Sequence, residues 1–110
     1  AVYDKKILPL LDYINKHLCE TLSVNSLAAR FFMSKYHMMR RFKAETGYSI
    51  HQYITNKRLL QAHSMLNSSL PLTKICFDCG FRDYSTFSRA FREIFHQTPT
   101  DYRSSLETHK

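Results

Sequence analysis

The chain has 110 residues with 16 Lys+Arg against 9 Asp+Glu, 44% hydrophobic residues, two glycines and three prolines. That length fits one domain, or two subdomains small enough to share a helix. Fifteen aromatics, eight of them Phe, exclude a disordered tail, and two glycines argue against a hairpin-rich sandwich or barrel, whose tight turns need residues that tolerate φ > 0. No apolar run approaches the ~18–20 residues of a membrane span and no signal-peptide pattern opens the chain. Three cysteines without framework spacing point to a reducing cytosol. The chain opens Ala1-Val2-Tyr3 without an initiator Met, and the expectation is a piece of a longer protein. A basic, all-α chain is the class these numbers favour.

Helix signals then follow one another closely. Ile7, Leu11, Ile14 and Leu18 recur at helical spacing and predict a first helix over 4–19. Ser23 caps a short second helix through Arg30, burying Val24, Leu27 and Ala28; Phe31-Phe32-Met33 is a short turn; Ser34 caps a third helix to Glu45, with Gly47 just beyond it. Ser49 with Gln52 makes a capping-box pattern that opens a long fourth helix to Leu66. Asn67-Ser68-Ser69 breaks that helix. Pro71 fits the first turn of a fifth, which runs to Cys79 before Gly80. Asp83 caps a sixth helix to Phe95, and Thr98-Pro99 with Asp101 starts a final short helix through Tyr102 and Arg103.

The chain also repeats itself. Leu27-Ala28 matches Ile75-Cys76 at an offset of 48, and beyond the turn Arg40, Phe42, Lys43 and Tyr53 match Arg89, Phe91, Arg92 and Tyr102 at an offset of 49. Each copy is a short helix, a tight turn and a longer helix, which is a helix-turn-helix unit. Charge is unevenly spread: between Arg30 and Arg58 seven bases face Glu45 alone, a net of +6, whereas between Lys74 and Arg103 five bases face four acids, a net of +1. Such a field draws polyanions.

At 100° per residue, Met38 and Phe42 share one side of the third helix, with Tyr36, Arg40 and Lys43 on the other and Met39 at their flank. A helix of that kind suits a DNA major groove. Arg40 can give two hydrogen bonds to guanine, and Tyr36 and Met39 can pack on a thymine methyl. In the sixth helix Phe87, Phe91 and Ile94 are expected inside and Ser85, Arg89, Arg92 and His96 outside, with Tyr84 and Ser88 at the margins. Its first turn, Tyr84-Ser85, would enter deepest with Arg89 one turn behind, although a Tyr at a helix start also packs over a neighbouring turn. Lys35, Arg41, Ser85 and Thr86, near the two helix N-termini, are phosphate candidates, joined by Lys43 and Arg92 further along the exposed faces. The fourth helix, about 17 residues or ~25 Å, is the length of a rigid spacer between two reading heads on successive groove segments.

Rival chemistries find less support. Cys76 and Cys79 form C-x-x-C, but no second Cys or His pair has a matching spacing, so no metal and no cofactor is expected. No phosphate loop, nucleophile elbow or carboxylate pair is present, and His17, His37, His51, His63 and His109 read mostly as surface residues, so an enzyme is not expected. A helical protein-interaction module and an RNA binder are the competing binding readings. Aromatics at core positions weigh against the RNA alternative.

The run from Ile75 to Arg92, with Thr98-Pro99-Thr100-Asp101-Tyr102-Arg103, closely resembles the signature of AraC/XylS-type bacterial transcription regulators. So do Leu27-Ala28, Met33-Ser34, Arg41-Phe42-Lys43, Gly47-Tyr48-Ser49, Tyr53-Ile54 and Arg58-Leu59, and the match covers about 100 of the 110 residues in one register. The resemblance implies an all-α, homeodomain-like, seven-helix bundle: a first helix-turn-helix subdomain over 4–48, a linker helix over 49–66 and a second subdomain over 67–106. It places base reading on Tyr36, Met39, Arg40, Tyr84, Ser85, Ser88 and Arg89. It further implies double-stranded promoter DNA and RNA polymerase as partners, an effector or receiver domain ahead of this segment (or a free-standing activator of this length), and a place in the bacterial cytoplasm on the nucleoid. Three positions depart from the family pattern. Cys76 replaces a usual Ala, Met39 stands where a polar reader is common, and His96 stands where Gly often follows the sixth helix, which must then run on or close with a strained residue.

Overall fold

In the computed structural model, residues 7–108 are described. They form α1 (Ile7–Lys16), α2 (Val24–Arg30), α3 (Lys35–Thr46), α4 (Ile50–Met65), α5 (Leu72–Asp78), α6 (Tyr84–Phe95) and α7 (Pro99–Thr108), with no strand among them. Most of these helices start where a side chain three positions upstream accepts an orphan N–H. Ser23 Oγ accepts from Ser26 N at 3.0 Å, Ser34 Oγ from His37 N at 3.1 Å, Ser49 Oγ from Gln52 N at 3.1 Å, Asp83 Oδ1 from Thr86 N at 2.7 Å and Thr98 Oγ1 from Asp101 N at 3.1 Å. Pro71 is the exception among the helix starts whose capping residue is described. It stands one position before the first turn, as the N-cap of α5, with no side-chain bond to offer.

The ends are equally local. Gly47 (φ 82) closes α3 with its N–H on Lys43 O at 2.9 Å, and His96 (φ 63) closes α6 with its N–H on Arg92 O at 2.8 Å. Of the two outcomes open at His96, the helix takes the strained close. Two terminal helices differ in length from expectation. α1 ends at Lys16, where His17 N already donates to both Tyr13 O and Ile14 O and the chain turns; residues 4–6 lie outside the described residues. α7 continues past Arg103 to Thr108, because Ser104-Ser105-Leu106-Glu107 contains neither Pro nor Gly to stop it.

The chain divides into two units inside α4, one running to Asn56 and the other starting at Lys57. In the first, Ile7, Leu10, Leu11 and Ile14 of α1 meet Leu27 and Ala28 of α2, Met38 and Phe42 of α3, and Ile50 and Ile54 of α4. In the second, Leu59 and Ala62 of α4 with Leu66 meet Ile75, Cys76, Cys79, Phe81, and Phe87 and Phe91 of α6. α4 is therefore not a bare strut: each half of it is a wall of one core.

Ile94 is not part of the second core. It shares the stripe of Phe87 and Phe91 yet is 44% exposed, because helical periodicity sets the side of a residue and not how far along the helix its partners reach. His63, read as a surface residue, is half-buried with ring centroids 4.5 Å from both Phe95 and Tyr102. His17 is also half-buried, His37 and His51 are exposed, and His109 lies outside the described residues. The far end of α4 is held from α7, where Arg103 Nε donates to Leu66 O at 3.4 Å.

Candidate nucleic-acid interface

In both units the second helix is placed by its cap and by its apolar stripe. Met38 and Phe42 are completely buried, which turns the opposite face of α3 to solvent: Tyr36 is 69% exposed, Met39 is 42% exposed, and Arg40 and Lys43 are exposed. The Lys35 ammonium stands 5.4 Å from the Tyr36 ring centroid and extends this cationic face at the helix start. Arg41 lies on the flank and is half-buried, with Nη2 3.8 Å from Glu45 Oε1, so its charge is shared.

In α6, Phe87 and Phe91 are completely buried, and Ser85, Thr86, Arg89 and Arg92 are exposed. Tyr84 and Ser88 are half-buried. The Tyr84 ring meets Phe87 edge-on at 5.6 Å, so part of it belongs to the core. Thr86 gives both its amide and its hydroxyl to Asp83, the hydroxyl to Oδ2 at 3.0 Å. These bonds, and after them the Arg89 charge, hold the Asp83 carboxyl below its ordinary range. A carboxylate thus already occupies the N-terminus of α6, while the neutral Ser34 caps α3. The start of α3 is the more open of the two to a phosphate.

The cysteines of the C-x-x-C pair are both buried, the Cys76 thiol donating to Asp83 O at 3.6 Å and the Cys79 thiol to Met65 Sδ at 3.7 Å. Burial, and secondarily the Asp83 charge, push the Cys76 thiol up to about 11. Cys76 thus fills the small-residue site as expected. Among the described residues no group of three or more His, Cys, Asp or Glu is placed to hold a metal ion.

One surface residue escaped the sequence reading. Phe32, treated above only as part of a turn, is 96% exposed just ahead of α3. The signal was present in the offset of 48, which sets Phe32 opposite Gly80.

Comparison with known proteins agrees with this geometry. A family model described as a helix-turn-helix domain matches residues 27–105. The regulatory protein SoxS of Salmonella typhimurium is 35% identical over 101 residues, covering 91% of this chain and 94% of SoxS. The right origin-binding protein of Escherichia coli is 38% identical over 102 residues, covering 92% of this chain but 35% of that protein. Among solved structures, the DNA-binding domain of the transcriptional factor AdpA, in complex with a target DNA, superposes with a TM-score of 0.89 at 29% identity over 97% of each chain. The C-terminal domain of AraT, a response regulator from Geobacillus stearothermophilus, gives 0.90 at 26% identity over 96% of this chain and 88% of that one. The family match over residues 27–105, the identity to these regulators along nearly the whole chain and the superposition on AraC-type DNA-binding domains place the chain in the AraC/XylS family of DNA-binding transcription regulators.

Proposed function

We propose that the two units read double-stranded promoter DNA from adjacent major-groove segments, with α3 and α6 as the inserted helices. The observation that carries this reading is the recurrence of an exposed arginine on the second helix of each unit, Arg40 and Arg89, opposite completely buried phenylalanines. Arg40 and Arg89 bind base edges, Arg40 beside Tyr36 and Met39, and Arg89 beside Ser85 and the solvent edges of Tyr84 and Ser88. Lys35, Lys43 and Arg92, with the shared charge of Arg41, bind phosphates. Thr86 contributes little through its side chain, since that is turned to Asp83.

The two units differ in kind. The stretch from Arg30 to Arg58, which holds α3 and runs on into α4, nets +6 and anchors by charge; the stretch from Lys74 to Arg103, which holds α6, nets +1 and contributes mainly selection. Two unlike readers in one chain favour an asymmetric site. The same domain makes up nearly all of SoxS and about a third of the right origin-binding protein, which supports reading it as a self-contained DNA-binding module to which an effector or receiver domain is an addition. RNA polymerase is the partner proposed for the surfaces that DNA leaves uncovered, and the bacterial cytoplasm, on the nucleoid, is the proposed location. The domain acts by binding, without catalysis of its own.

Selecting bound duplexes from a random pool and titrating the winner against salt tests this reading. Log K should fall linearly with log salt, and Arg40→Ala and Arg89→Ala should each lose specific binding. A flat salt response would reject phosphate anchoring and favour a protein-binding module, whereas specific binding intact in both variants would reject α3 and α6 as the inserted helices.

A further inference from the structure

The turn before α3 carries a conformational cost that the turn before α6 avoids. Both close alike. Met33 N donates to Ala28 O at 3.0 Å and Phe81 N to Cys76 O at 3.1 Å, while Phe32 N reaches Ala29 O at 3.3 Å and Gly80 N reaches Phe77 O at 3.0 Å. The residue at the bend is left-handed in each, with φ 54 at Phe32 and φ 99 at Gly80. Glycine adopts this conformation freely, whereas a side chain forces Cβ toward the next carbonyl. A Phe held there would ordinarily recover the cost by burying its ring. The Phe32 ring is 96% exposed and recovers nothing in the free chain.

We infer that Phe32 is a DNA-contacting residue whose ring lies on the apolar deoxyribose face of the backbone walling the groove that α3 enters. The inference rests on the proposed reading of α3 as an inserted helix. Phe32 stands two positions ahead of Ser34, the N-cap of α3. With Pro9, Phe31, Met33, Ser34 and His37 it lines a surface groove of about 390 Å³ beside the helix start. A helix 10–12 Å across fills a major groove about 12 Å wide, so side chains on its flanks meet the sugar–phosphate walls and not the bases. His37 and Arg41 occupy the flank roughly 100–140° round from Tyr36, and Phe32 shares its groove with His37.

The chemistry of that rim matches a nucleic-acid wall better than an apolar protein surface. Phe31 and Met33 are packed on the first core, which leaves one fully presented ring beside Ser34, His37 and the exposed Pro9. A DNA backbone alternates anionic phosphates with apolar sugar faces and needs such an alternation, whereas an apolar docking site needs a contiguous patch. The second unit has no counterpart, since Gly80 has no side chain. The contact is therefore one-sided and adds to the anchoring role of the first unit.

The test compares Phe32→Gly, Phe32→Trp and Arg40→Ala in the whole chain, by thermal unfolding and by binding to a selected and a random duplex. Phe32→Gly should raise the unfolding midpoint by about 5 °C, because the bend is relaxed. It should weaken binding to both duplexes by about tenfold, as expected for a half-covered ring, with the salt slope unchanged because no charge is lost. Phe32→Trp should bind like the parent. If Phe32→Gly binds both duplexes as tightly as the parent while Arg40→Ala loses the selected one, the sugar contact is wrong and the groove reading stands. If that same variant then fails to regulate a promoter carrying the selected site, the ring serves a protein partner, which equally overturns the inference. If neither variant alters affinity, the reading of α3 falls and takes this contact with it.

Discussion

Asp83 and Thr86 are joined twice, Oδ1 accepting the Thr86 amide at 2.7 Å and Oδ2 accepting its hydroxyl at 3.0 Å. The corresponding cap of the first unit is a single neutral bond from the His37 amide to Ser34 Oγ at 3.1 Å. Two helices alike in shape therefore present opposite electrostatics at the end that would approach DNA. The positive end of the α6 dipole is already answered by a carboxylate, whereas that of α3 is left for an external anion.

Asp83 also gives stability a dependence on acid. Its carboxyl is held below the ordinary value of 3.8 by the Thr86 amide first, the Thr86 hydroxyl next and Arg89 after them. A group depressed in the folded state stabilises above its unfolded pKa and loses that contribution as pH falls through the folded one. Unfolding midpoints followed on the acid side should drop as pH falls below 3.8. In Asp83→Asn that drop should be shallower, while the Thr86 amide keeps an acceptor. Asp83→Ala should lower the midpoint at neutral pH as well.

The two left-handed helix ends should respond to substitution in opposite directions. His96 closes α6 at φ 63, so His96→Gly should stabilise by about 1 kcal/mol. Gly47 closes α3 at φ 82 with nothing within 4 Å of the position a Cβ would take, so Gly47→Ala should cost about 1 kcal/mol through backbone strain alone. Chemical denaturation with an unchanged m-value would read both.

The thiols should separate by accessibility. Cys19 is exposed and Cys76 and Cys79 are buried, so a thiol reagent at mildly alkaline pH should modify Cys19 at once and the other two only as fast as the second unit opens. The Cys76 thiol, raised from 9.0 to about 11, stabilises fully below its unfolded pKa. That contribution should fade as pH rises from 9.0 toward about 11, and Cys76→Ala should flatten this part of the curve.

Arg40 and Lys43, one turn apart on the same exposed face, should fail differently. Arg40→Ala should cost about 1–3 kcal/mol and relax preference at one base pair. Lys43→Ala should weaken binding to every sequence about equally and reduce the salt slope by about 1. Competition between a selected duplex and single-position variants, repeated at several salt concentrations, separates the two losses.

The candidate interface was readable in outline because its determinants are short-range. Ser34 and Asp83 act on amides three residues away, so the two caps fix where α3 and α6 begin and thus which residues occupy their first turns. From there the spacing of Met38 with Phe42, and of Phe87 with Phe91, turns Arg40 and Arg89 outward. Tyr84 shows where this logic stops. Its helical position places it at the margin of the exposed face, and only the edge-on contact with Phe87 shows how much of the ring is withdrawn into the core.

What the amino-acid sequence determined by itself was helix identity, the side-chain-capped helix starts and the repeat, since capping, turn chemistry and periodicity act within a few residues. The exposure of Ile94, the enclosure of His63 between Phe95 and Tyr102, and the division of α4 between two cores were decided by the tertiary structure. Those features depend on how far a facing helix extends, which no local pattern encodes. Phe32 belongs to both levels: its left-handed bend is a turn geometry shared with Gly80, and its full exposure is a property of a surface that no part of the first unit covers.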